Sequence, residues 1–129
     1  MKAFQIIFLS LFFCLIVGFE SIAQIPQPEE GKSLIVFYRK KKMSGGAISF
    51  NIQDSQRTYG NLKNGDVIYV NVDPGEHTFY SKVLSEDAIT LNTEAGKVYY
   101  INAKIIVGYY AGRPRFEQVD EKTALKDIK

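Results

Sequence analysis

The chain has 129 residues, with 16 basic and 14 acidic side chains, a net charge of +2 and 46% hydrophobic residues. That length suits one ordinary domain, and the mild charge excludes the strongly basic footprint of a nucleic-acid-binding protein. A single cysteine excludes a disulfide framework and a zinc site built on cysteines.

Lys2 opens the chain, and Ala3–Phe19 follows as an apolar run broken only by Gln5, Ser10 and Gly18. Ser21-Ile22-Ala23 then places small residues one and three positions before a cut at Gln24. This is the layout of a cleaved secretory signal over residues 1–23. The run reaches only the lower end of the roughly 17–25 residues that a spanning helix needs, so a retained anchor is the weaker reading. Cys14 lies inside the run behind bulky Phe13, where a lipoprotein signal has a small residue, so it reads as part of the signal core. The mature chain is therefore expected to be exported to the periplasm, the envelope or the medium. Its membrane contact is expected to be at most peripheral.

Residues 24–31, with Pro26, Pro28, Glu29 and Glu30, read as an extended tether ahead of one β-sandwich domain over residues 32–129. Leu34–Tyr38 is a continuous apolar run of strand length, which predicts a central strand covered on both faces. Ala47–Gln53 alternates, with Ile48, Phe50 and Ile52 on one face. Asn64-Gly65 separates Arg57–Lys63 from Asp66–Val72 and suits a tight hairpin turn. Asp73-Pro74-Gly75-Glu76 makes the next corner, and Ala95-Gly96 divides Ala88–Thr93 from Val98–Val107. Ile68, Val70 and Val72 share a face, as do Ile89, Leu91 and Thr93, and then Ile101, Ala103, Ile105 and Val107. A last short strand is expected over Arg115–Val119. Asp120 then caps a short helix whose Ala124, Leu125 and Ile128 fall on one side. Together these predict an all-β fold: a compact antiparallel sandwich of about seven strands with a short C-terminal helix.

The ordered set Asn61-Leu62-Lys63-Asn64-Gly65, Val67-Ile68-Tyr69-Val70, Asp73-Pro74-Gly75-Glu76-His77-Thr78, Glu94-Ala95-Gly96-Lys97-Val98-Tyr99-Tyr100 and Gly108-Tyr109-Tyr110-Ala111-Gly112-Arg113-Pro114 carries a resemblance. It is similar to the bacterial family known as domain of unknown function number 2846, over Lys32 to about Lys126. The resemblance implies an exported or lipid-anchored β-domain without an established activity, and it supplies no functional residues.

Catalytic chemistry finds little support. His77 is the only histidine, and no nucleophile elbow accompanies it. Glu86-Asp87 and Asp120-Glu121 are adjacent in sequence, so extended backbone sends their side chains to opposite faces. No cofactor, catalytic residue or metal ligand is expected. The charged run Arg39-Lys40-Lys41-Lys42 precedes Ser44-Gly45-Gly46 and reads as a mobile basic loop that could touch an anionic surface. Tyr109 and Tyr110, followed by Arg113 and Arg115, form an aromatic and cationic segment able to stack on a sugar or hold a carboxylate or phosphate. The leading expectation is a non-enzymatic binding or accessory domain whose partner is an envelope protein or glycan. The alternatives are a carrier holding a small apolar ligand between its sheets and a glycan hydrolase with paired carboxylates.

Overall fold

The computed structural model describes residues 25–82, 86–107 and 112–129. The secretory-signal reading of residues 1–23 and the pair Tyr109 and Tyr110 lie outside the described residues. Within them run β1 (Ser33–Tyr38), β2 (Phe50–Gln53), β3 (Thr58–Leu62), β4 (Val67–Val72), β5 (Gly75–Lys82), β6 (Glu86–Thr93), β7 (Val98–Val107), β8 (Gly112–Val119) and helix α1 (Glu121–Ile128). The strands form two four-stranded sheets, ordered β4-β1-β7-β8 and β3-β2-β5-β6. The fold is the all-β sandwich with a C-terminal helix that the sequence predicts, with eight strands among the described residues. One pair departs from the antiparallel expectation, because β1 runs parallel to β7.

The unbroken apolar run of β1 follows from its place in three layers. Ile35 and Phe37 point into the space between the sheets, while Leu34, Val36 and Tyr38 point the other way, beneath α1. Every residue of β1 is buried as a result. Between the sheets, Phe37 meets Phe79 edge-on at 5.1 Å and Phe116 at 6.1 Å, and Phe50 meets Phe116 at 6.5 Å. Ile52, Leu62, Val70, Val72, Leu91, Ile101 and Ala103 join them in one buried cluster.

Several turns act differently from their sequence reading. Asn64-Gly65 does not close a hairpin, since β3 and β4 lie in different sheets. A tight hairpin turn needs positive φ at both central residues, and here only Gly65 has it, at 82°. The chain therefore passes from one sheet to the other, as it does again at Asp73–Glu76. The strand expected from Ala47 begins only at Phe50, because residues 43–47 are taken up by turns in which Ile48 N–H bonds the Gly45 carbonyl. Conversely β8 starts at Gly112 and carries Pro114 within it. β8 is an outer strand of its sheet, where a missing N–H is tolerated.

The edge of β8 is guarded. Asp87 of β6 accepts a hydrogen bond from the Phe116 N–H at 2.7 Å, which ties the two sheets together along one side. The residues preceding β1 are also fixed rather than trailing: Ile25 packs beside the α1 layer, and Glu29 N–H donates to Asn71 Oδ1 at 3.0 Å. In α1, Asp120 Oδ1 accepts from Thr123 N–H at 2.8 Å, as the capping reading predicts. Ala124 is fully buried against β1, but Leu125 is 40% exposed, so the buried side of the helix is narrower than expected.

Candidate functional site

The basic run at the end of β1 divides by direction. Arg39 is only 5% exposed. Its Nη2 donates to the Gly45 carbonyl at 2.7 Å, and its Nη1 donates to the carbonyls of Ile48 and Leu62. The guanidinium also lies 5.5 Å from the centre of the Phe50 ring. Burial lowers the Arg39 pKa from its ordinary value, with the charge of Asp66 acting in the opposite sense. Arg39, expected as a partner-binding residue, thus directs its guanidinium to the protein's own backbone while also lining the cleft described below.

The loop expected to be mobile makes specific contacts. The Asn64 side chain accepts from Lys42 N–H at 2.9 Å and donates to the Lys42 carbonyl at 2.8 Å. Gly45, at φ 73°, sits so close to β7 that an added Cβ would stand 3.0 Å from Ile105 Cγ2 and 3.1 Å from Val107 Cγ2. The loop therefore lies against the end of β7. Two segments separated by some 70 positions in sequence, the basic run and Arg113–Arg115, come to the same end of the molecule.

Beside the basic run lies a cleft of about 260 Å³, with Lys40, Lys42, Asn102, Lys104, Glu117 and Asp127 in its walls. Asn102 belongs to the outward series of β7 and is 7% exposed, yet its Oδ1 has no hydrogen-bond partner. Lys40 stands 3.6 Å from Asp127, and Lys104 pairs with Glu117. Asp127 also accepts a 2.7 Å hydrogen bond from the hydroxyl of Tyr38. Burial first, and then this carboxylate, raise the Tyr38 pKa well above the ordinary phenol value. Lys104 holds Glu117 below its ordinary carboxylate pKa, with Arg115 adding to the effect.

Arg113 and Arg115 extend the basic surface along β8. In the register of the β7–β8 pair, Arg115 faces Lys104 and Arg113 faces Ile106, so their side chains share the outward face that carries Asn102. Lys41 is exposed. Among the described residues, Lys41, Lys42, Arg113 and Arg115 have no carboxylate within ion-pair distance. Asn102 and Lys104 carry no sequence motif, and Asn64 reads as a turn residue alone. A signal that could have found them is the polar pair Asn102 and Lys104, two positions apart on one face of a largely apolar β7.

The remaining candidates fall elsewhere. His77 lies at the opposite end of β1, where its Nε2 is 2.6 Å from the Asp73 carbonyl oxygen. It borders a second polar cleft of about 590 Å³ that also holds Arg57, Tyr59 and Tyr80. Arg57 stacks 4.4 Å from the centre of the Tyr59 ring, and the Tyr59 hydroxyl donates to Asp54. Of the acidic pairs, Asp87 holds the β8 edge and Asp120 caps the helix. Among the described residues, no cluster of three or more His, Cys, Asp or Glu side chains could hold a metal ion.

The architecture is that of a small β-sandwich with a helix on one sheet and a compact basic cleft at one end. Residues 29–115 match the family described as protein of unknown function DUF2846, and the chain belongs to that family. It is also 27% identical over 106 residues to an uncharacterized protein of Haemophilus influenzae, covering 81% of this chain. The aligned stretch spans 62% of that relative's length. No solved structure matches the chain.

Proposed function

We propose that this protein is an exported, non-enzymatic binding domain whose basic cleft holds an acidic group of an envelope glycan or protein. The observation that carries the reading is the convergence of Lys40, Lys42 and Lys104 on one cleft. The lysines supply the charge selection. The volume lies just below the roughly 300–1,000 Å³ of drug-sized sites, which favours one acidic sugar or side chain over a long segment. Arg115, opposite Lys104, adds to the positive field on this face.

Export rests on the residue pattern of positions 1–23, and the mass of the protein recovered from its own cells tests it. The binding test is equilibrium titration with trigalacturonate, an acidic oligosaccharide, against neutral maltotriose. Binding of the acidic sugar alone, weakening with salt and with Lys42→Gln, is the expected result. Equal binding of both sugars, or binding indifferent to Lys42→Gln and Lys104→Gln, would remove the cleft from the account. The tight aromatic packing between the sheets weighs against carriage of an apolar ligand there, and the engagement of Asp87 and Asp120 weighs against a carboxylate-pair hydrolase.

A further inference from the structure

Beyond the cleft, the same end of the molecule exposes apolar side chains in an unusual place. Met43 is fully exposed, Val107 is 52% exposed and Ile106 is 43% exposed. The 43–46 loop and the end of β7 lie side by side, since a Cβ on Gly45 would touch Val107 at 3.1 Å. Ile106 and Val107 are neighbours in a strand, so they point to opposite faces of the sheet. A partner lying flat on one face could cover only one of them. An apolar phase met end-on covers both, and covers Met43 with them.

Charge identifies that phase. Lys41 and Lys42 immediately precede Met43 in the loop, and Arg113 faces Ile106 across the β7–β8 pair, with Arg115 at the next outward position. None of these four has a carboxylate within ion-pair distance among the described residues. Exposed apolar residues set among unpaired cations match the two layers of an anionic lipid surface: acyl chains below, and negative headgroups at the level of the basic side chains. A soluble acidic protein or polysaccharide would satisfy the cations and leave Met43, Ile106 and Val107 in water. We propose that this end of the sandwich docks end-on to an anionic lipid bilayer, with Met43, Ile106 and Val107 entering the interface and Lys41, Lys42, Arg113 and Arg115 contacting the headgroups.

The chain contains no tryptophan, so Met43→Trp introduces a single fluorescent reporter at an exposed position. The test uses the protein as purified from its own cells with vesicles of phosphatidylcholine, alone or with one-third phosphatidylglycerol. With anionic vesicles the reporter emission is expected to shift to the blue and to be quenched by lipids brominated on their acyl chains. The Met43→Ser, Ile106→Ser double variant, without the reporter, should sediment with these vesicles about tenfold less. Each of Lys41→Gln and Arg113→Gln should weaken sedimentation about fivefold. Reporter emission that stays at its fully hydrated wavelength overturns the proposal, as does vesicle binding unaffected by the serine variants. Equal binding to neutral and anionic vesicles also overturns it, because a hydrophobic leader retained at the N-terminus would act that way. Trigalacturonate binding persisting in the serine variants would leave the cleft's proposed role standing on its own.

Discussion

Lys104 of β7 and Arg115 of β8 face each other directly across an antiparallel pair, on the same outward surface. Like charges so placed oppose the pairing of their strands. Glu117 engages Lys104 and relieves part of the repulsion, but Arg115 has no carboxylate within ion-pair distance among the described residues. Such an arrangement has a natural use if an anion is brought between the two cations.

Replacing Arg115 with glutamine should therefore separate stability from binding. Arg115→Gln is expected to be neutral or to stabilise the fold by a few tenths of a kcal/mol at low salt, the small size reflecting exposure of both groups. The same variant should bind trigalacturonate several-fold more weakly. Urea denaturation and titration of one protein sample check both; a clear loss of stability would contradict the assignment of Arg115 to binding.

Arg39 behaves in the opposite way. Its guanidinium bridges three backbone carbonyls from two segments, the 45–48 turn and the end of β3, so Arg39→Ala should cost about 2–4 kcal/mol in urea unfolding. Arg39→Lys should recover less than half of that loss, because one ammonium cannot reproduce the planar fork. A stability loss below about 0.5 kcal/mol for Arg39→Ala would place it with exposed surface residues instead.

Asp87 protects an edge. Removing its carboxylate leaves the Phe116 N–H without its acceptor, at a cost of about 1–3 kcal/mol. The freed N–H also opens β8 to strand addition, so Asp87→Ala should self-associate in analytical ultracentrifugation at concentrations where the parent chain does not. Asp87→Asn keeps an acceptor and should remain closer to the parent in both measurements.

Tyr38 links stability to alkaline pH. Its folded pKa is raised, chiefly by burial and then by its hydrogen bond to Asp127. The folded state therefore resists ionisation that the unfolded chain accepts near the ordinary tyrosine pKa of about 10. Stability from this group is fully present below about pH 10 and is lost as pH rises toward the folded value. Tyr59 and Tyr100 are shifted in the same direction, burial again being the first cause, and steepen the fall. Tyr38→Phe should flatten the decline in unfolding free energy above about pH 10, while an unchanged slope would remove Tyr38 from the linkage.

The sequence resolves this molecule unevenly, for physical reasons. Alternation exposes Ile68, Val70 and Val72, and Leu34–Tyr38 declares a doubly covered strand, because burial imposes those patterns directly. The parallel pairing of β1 with β7 leaves no such trace, since the partner strand is far away in sequence. Asn64-Gly65 looks like a hairpin turn because composition reports the freedom to turn and not which sheet receives the next strand. The basic run Arg39–Lys42 shows charge but not direction, so Arg39, which folds inward, reads the same as Lys41, which does not. Asn102 and Lys104 become site residues only when β7 is set against the pinned loop, a relationship made by tertiary contact alone. Leu125 misleads for a related reason: α1 is short, and only Ala124 fits closely over β1.

The central claim, that the cleft beside Lys42 and Lys104 is the binding site, is tested most directly by a nuclear magnetic resonance titration with trigalacturonate. The side-chain amide of Asn102 should move most, together with backbone amides of Lys42, Lys104 and Arg115, and the shifts should shrink as salt is raised. Shifts centred on Arg57, Tyr59 and His77, at the other end of the sandwich, would contradict the claim and move the site to the second cleft.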